Sequence, residues 1–260
     1  MRTILVYADR RPGLDARIDS AVSLVRAFGG HMTVLIDTPV TRYMSMEPMG
    51  GSYIASDALT KAMEDDDANA VRIAARLRDA AVSHDFIRSE AEPVEALTRA
   101  ARLADLVVLS RSGGLAGELA LQSRTPVLAL ADDQALAIPL GKACIAWDGG
   151  EEAVQALRAS AGLLAKCRAV ELITVAEKPG GMPINAALRY LSHCGASASV
   201  RELERRGSTE ETLAGAVADA GAELLVMGAF GHSRVREYLF GGVTRYFLHA
   251  EDAPALLLAH

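Results

Sequence analysis

The sequence predicts an α/β protein made of two tandem five-stranded parallel sheets, each sandwiched between helices. Three observations carry this expectation. Short apolar runs alternate with stretches of helical spacing along all 260 residues. Several of those runs are nearly continuous ("TILVY", "LVVLS", "ELLVM"), as expected of strands covered on both faces of a parallel sheet. The chain also repeats itself: "MRTILVYADRRPGLDARIDSAVSLVRAFGGHMTVLI" and "GKACIAWDGGEEAVQALRASAGLLAKCRAVELITVA" share one order of features. Each has a basic residue, an apolar run ending in Asp (Asp9, Asp148), a glycine-containing loop, an amphipathic helix and a second apolar run.

The ends of the copies match as well. "ADLVVLSRSG" and "TPVLALAD" in the first correspond to "AELLVMGAFG" and "APALLLAH" in the second. A repeat of this size means two domains rather than a solenoid, expected at 1–135 and 141–260. The connection "DDQALAIPLG" is short, so the two should pack together. Their last strands, Pro126–Leu130 and Pro254–Ala259, are short apolar edges that need cover and are expected to pair within the chain. A further homodimer is compatible with this arrangement.

In the second copy the elements follow in order. Ala143–Trp147 reads as a strand, and Glu152–Lys166 places Ala153, Val154, Leu157, Ala161 and Leu164 at helical spacing. Val170–Val175 is the next strand, Asn185–His193 a helix stopped by Gly195, and Ala198–Leu203 a strand. Thr209–Ala220 is a helix, with Ser208 and Glu211 spaced as a capping box. Leu224–Met227 is a buried strand, Val243–His249 a helix and Ala255–Ala259 the last strand. The first copy carries an insertion, Thr38 to Asp67, without a single periodicity. A surface loop is the preferred expectation, with a ligand-covering lid as the alternative. The acidic run Asp65–Asp67 reads as the start of a helix near Ala68, favoured by the helix dipole, rather than as a metal cluster.

A formal charge of −6 and scattered basic residues argue against nucleic acid and a polybasic membrane anchor. No signal peptide or membrane-length apolar run is visible, so the cytoplasm is the expected compartment. Cys144, Cys167 and Cys194 suit buried free thiols better than a disulfide framework or zinc ribbon. Neither G-x-S-x-G nor H-E-x-x-H occurs, so no catalytic residue and no protein metal site is assigned.

The chemistry concentrates in "MGAFGHSRVREYLFGGVT", Met227–Thr244. Gly228 follows a strand, Gly231 comes next, and Gly241 and Gly242 precede a helix. Glycines there let phosphate oxygens approach backbone N–H groups, and the helix N-terminus adds partial positive charge. His232, Ser233, Arg234, Arg236 and Arg245 add polar groups, and Thr244 a hydroxyl. There is no G-K-[ST] and no G-x-G-x-x-G. On spacing alone, a structural elbow fits better than a phosphate cradle. Trp147 suits packing better than stacking on a base. His232 suits a solvated loop residue or a phosphate contact.

G-x2-G-x9-G followed by a small residue, after a fourth strand, resembles universal stress proteins; so does "AWDGGEEAVQAL". The likeness spans the chain as a tandem pair, specific in the second copy and faint in the first. It implies a Rossmann-like fold, similar to that of the adenine nucleotide alpha hydrolases. It also implies a sensor or regulator of the stress response that binds ATP with Mg²⁺ on its phosphates, and slow hydrolysis at most. Carried over, Asp148 would meet ribose or base and Val175 the adenine. Gly228, Gly231, Gly241, Gly242, Val243 and Thr244 would lie along phosphate and ribose, with His232 and Arg234 beside them. Gly242 stands where nucleotide-binding members often carry Ser, Thr or Asn. The first copy lacks the x9 run: between Ser110 and Pro126 only Gly113, Gly114 and Gly117 remain. Its ATP site is expected to be degenerate. A member acting through protein or other small-ligand contacts is the alternative, and an enzyme related to the α-hydrolases a third reading.

Overall fold

A computed structural model describes residues 1–46, 52–175, 181–230 and 242–260. In the first half, strands β1 (Thr3–Tyr7) and β2 (His31–Asp37) flank helix α1 (Leu14–Phe28). A 3-10 turn (Val40–Tyr43) and a small hairpin of β3 (Met44–Met46) and β4 (Ser52–Ile54) lead into α2 (Ser56–Asp79). Then follow β5 (His84–Ser89), α3 (Pro93–Ala101), β6 (Leu106–Ser110), α4 (Leu115–Gln122) and β7 (Val127–Leu130). The second half repeats the order: β8 (Leu140–Ala146), α5 (Glu151–Leu164), β9 (Cys167–Thr174), α6 (Ile184–His193), β10 (Ala198–Glu202), α7 (Thr209–Asp219), β11 (Leu224–Gly228), α8 (Gly242–His249) and β12 (Ala255–Ala259).

Among the described residues the main sheet has ten strands, ordered β10-β9-β8-β11-β12-β7-β6-β1-β2-β5. Within each half all pairings are parallel; β7 and β12 meet antiparallel, with Leu257 opposite Leu128. Each half therefore has the doubly wound order 3-2-1-4-5, which leaves a topological switch point between β1 and β6 and between β8 and β11.

The continuous apolar runs have a direct cause. Alternate residues of one strand face opposite cores. Ile4 and Val6 belong to the core that also takes in residues of α1, α2, α5 and α6, while Leu5 and Tyr7 belong to the opposite core, with residues of α3, α4, α7 and α8. A strand polar on either face would bury an unsatisfied group, so neither face tolerates alternation. Helix α7 opens with the expected capping box: Ser208 Oγ accepts from the Glu211 N–H at 3.2 Å, and Glu211 Oε2 from the Ser208 N–H at 3.1 Å. The three cysteines are free; Cys144 is buried and the others half-buried, and burial pushes the Cys144 and Cys167 thiols up to about 11.

Two expectations are corrected. Helix α2 begins at Ser56, not near Ala68, and Asp65–Asp67 lie in its middle rather than at its start. Its buried stripe is Ala62, Asp66, Ala70, Ile73 and Leu77, a helical spacing in which a carboxylate holds one inward position. Asp66 is tolerated there because Arg10 donates to both its oxygens (3.0 and 2.8 Å) and the Thr38 hydroxyl donates at 2.6 Å. A dipole at the helix start therefore has no part in the acidic run. The segment after β2 is also not simply a surface loop, because Thr38, Pro39, Arg42 and Tyr43 wall a cavity.

Candidate functional site

In the second half, the C-terminal ends of β8, β9 and β11 bring Asp148, Val175 and Gly228 to one edge of the sheet. Trp147 directly follows β8. It is 3 % exposed and packs in the core, and its backbone N–H donates to Ile173 O at 2.9 Å. Asp148 is half-buried, and its Oδ1 accepts from the Gly150 N–H at 2.8 Å. Gly149 takes φ +76°, and a Cβ there would sit 2.8 Å from Met182 O, so both conformation and space exclude a side chain. Gly150 caps α5.

Gly228 serves packing. A Cβ on it would lie 2.6 Å from the Glu152 carbonyl carbon and 2.7 Å from the Ala153 nitrogen, so its lack of a side chain lets the first turn of α5 rest on the end of β11. Val175 lies one residue past β9, half-buried against the core shared with α7 and α8. Gly242 is exposed at the start of α8, Val243 is half-buried, and Thr244 is 3 % exposed. A Cβ on Gly242 would sit 3.6 Å from the Glu210 carboxylate. Gly231, His232, Arg234 and Gly241 lie outside the described residues.

The equivalent edge of the first half is a cavity of about 620 Å³ at the ends of β1 and β2. Asp9, the counterpart of Asp148, pairs with Arg17, which is wholly buried. Arg17 also donates to Pro12 O at 3.2 Å, and its Nη1 lies 3.8 Å from Asp132. Asp132 accepts from the Ser110 hydroxyl at 2.7 Å. Burial raises the Asp9 carboxyl despite the pull of Arg17. Burial likewise raises the Asp37 carboxyl, although it accepts a bond from the Tyr7 phenol; the phenol is itself pushed far above its usual range by burial and by Asp37.

The shortened glycine segment keeps two left-handed residues, Gly113 and Gly114, both at φ +81°. A Cβ on Gly113 would overlap the Arg11 guanidinium, so that side chain lies across the space over the glycine. Sequence reasoning missed Tyr7, Asp37, Arg42 and Asp66 as neighbours in one cavity. The available signals were a carboxylate closing the strand "VLID" and an acidic residue at an inward helical position.

The family model described as "Universal stress protein family" matches residues 186–258. Residues 186–258 are thus similar to the universal stress protein family. The fold relationship extends further. A universal stress protein from Archaeoglobus fulgidus DSM 4304 covers 99% of this chain and 95% of its own at a TM-score of 0.72 and 14% identity. A functionally unknown protein from Pseudomonas aeruginosa PAO1 covers 100% and 92% at a TM-score of 0.59 and 17% identity. No curated protein sequence matches. The likeness in fold thus runs the length of the chain, and the family model falls within the half that carries the long glycine segment. No described helix is long and apolar enough to cross a membrane.

Proposed function

We propose that this universal stress protein binds an adenine nucleotide, ATP with Mg²⁺ on its phosphates, in residues 141–260, and acts as a cytoplasmic sensor or regulator of the stress response. The observation that carries this reading is Asp148 at the switch point between β8 and β11, beside the strand end where Gly228 opens the glycine segment. A carboxylate there suits ribose hydroxyls or a base amine, and the N-terminus of α8 suits phosphate. Asp148, Val175, Gly228, Gly231, His232, Arg234, Gly241, Gly242, Val243 and Thr244 form the proposed contact set. Among the described residues no side chain stands out as a base for activating water, so this reading carries slow hydrolysis at most.

Calorimetric titration with ATP and Mg²⁺ is expected to give one site per chain, with Gly231→Val abolishing it because a side chain fills the phosphate position. Absence of heat at about millimolar ATP with the unaltered protein overturns the reading. A second reading, a member working through another small ligand, is favoured by the carboxylate-rich cavity in the first half.

A further inference from the structure

The first-half cavity differs chemically from the edge that matches it. Register fixes the comparison: Tyr7 pairs with Leu35 in one half and Ala146 with Ile173 in the other. Two residues further on, Asp37 occupies the place held by Val175. An apolar residue in one half is a carboxylate in the other.

The cations lining this cavity are already engaged. Arg10 forms a two-pronged pair with Asp66, Arg11 lies 3.6 Å from Asp9, and Arg42 lies 3.6 Å from Glu92. Asp37 makes no direct ion pair among the described residues; the Tyr7 phenol is its hydrogen-bond donor, and Arg42 acts on it only through its charge. Arg11 covers Gly113, the place where a phosphate would need open backbone. Tyr7 and Tyr43 line the same cavity as Asp37, Tyr7 with only 5 % of its surface exposed. A cation between a desolvated carboxylate and aromatic faces gains from both.

We propose that this cavity binds a small organic cation, a molecule with an amine or guanidine head seated against Asp37. The volume suits a small ligand, within the several hundred Å³ usual for such sites. A nucleotide phosphate is disfavoured, because Asp9, Glu92 and Glu118 ring the space and Arg11 fills the glycine position. Burial raises the Asp37 carboxyl, and the Tyr7 hydrogen bond and the charge of Arg42 offset that only in part. This inference is independent of the nucleotide reading for the second half.

The test is calorimetric titration of the full chain with agmatine, tyramine and spermidine, and with AMP as an anionic counterpart. At least one amine is expected to bind at one site per chain. Asp37→Val is expected to weaken that amine about tenfold or more, as is Asp37→Asn, which keeps an acceptor for Tyr7 but loses the charge. Melting curves establish that both variants are folded, and Mg-ATP binding in the second half is expected to be unchanged in both. Failure of all three amines to bind, binding by both variants as tight as by the unaltered protein, or displacement of the bound amine by AMP overturns the proposal.

Discussion

Gly242 is not held by sterics. Its φ lies outside the left-handed region, and a Cβ would make only an ordinary contact with Glu210. Gly242→Ser therefore supplies a hydroxyl at the start of α8 without a clash, and removes a residue poor in helices. It is expected to stabilise the protein by about 0.5 kcal/mol or less in urea denaturation. Under the nucleotide reading it also tightens ATP several-fold by calorimetry. Asp37 gives a pH-dependent expectation. Its folded carboxyl lies above the ordinary value, chiefly through burial. The stability contributed by that shift is fully present below the unfolded pKa and is lost as pH rises through the folded one. Asp37→Asn cannot charge, so it is expected to melt above the unaltered protein at neutral pH. The gap should close below about pH 4. A constant gap across that range contradicts the assignment.

Within the elements, one ion cluster joins three adjacent strands. Glu171 on β9 meets Lys142 on β8 at 2.8 Å and Arg201 on β10 at 3.0 Å, and is only 7 % exposed. Burial pushes its carboxyl up, but the two cations outweigh this and hold it below the ordinary value. Its contribution is present above the unfolded pKa and lost as pH falls through the folded one. Glu171→Ala leaves two half-buried cations facing each other across β9. It is expected to cost about 2 kcal/mol at neutral pH, less in high salt, by denaturant titration. Helix α2 shows the limit of reading an element from its sequence. Its register was hidden because Asp66, a polar letter, fills an inward position, and its partner Arg10 lies far away in sequence. By contrast, the cap of α7 was legible, since Ser208 and Glu211 satisfy each other within one turn.

Across the molecule, Arg111 ties the halves together. It follows β6, is 7 % exposed, and donates to Ala253 O at 2.8 Å and Glu251 O at 3.0 Å in the turn between α8 and β12. It thereby holds the turn that precedes the strand pairing with β7. Arg111→Met is expected to lower unfolding free energy by about 1–2 kcal/mol in calorimetric or denaturant unfolding, because two part-buried backbone carbonyls lose a charged donor. An unchanged midpoint contradicts that role. The sequence by itself determined the α/β class, the doubled plan, most second-half elements and the position of Asp148. These rest on local periodicity and on short-range capping, which neighbouring residues settle among themselves. Only the tertiary structure decided the 3-2-1-4-5 strand order and the role of Gly228 under α5. The same holds for the cavity where Tyr7, Asp37, Arg42 and Asp66 converge. Those depend on which strand lies beside which, and on ion pairs between residues far apart in the chain, and periodicity carries no information about either.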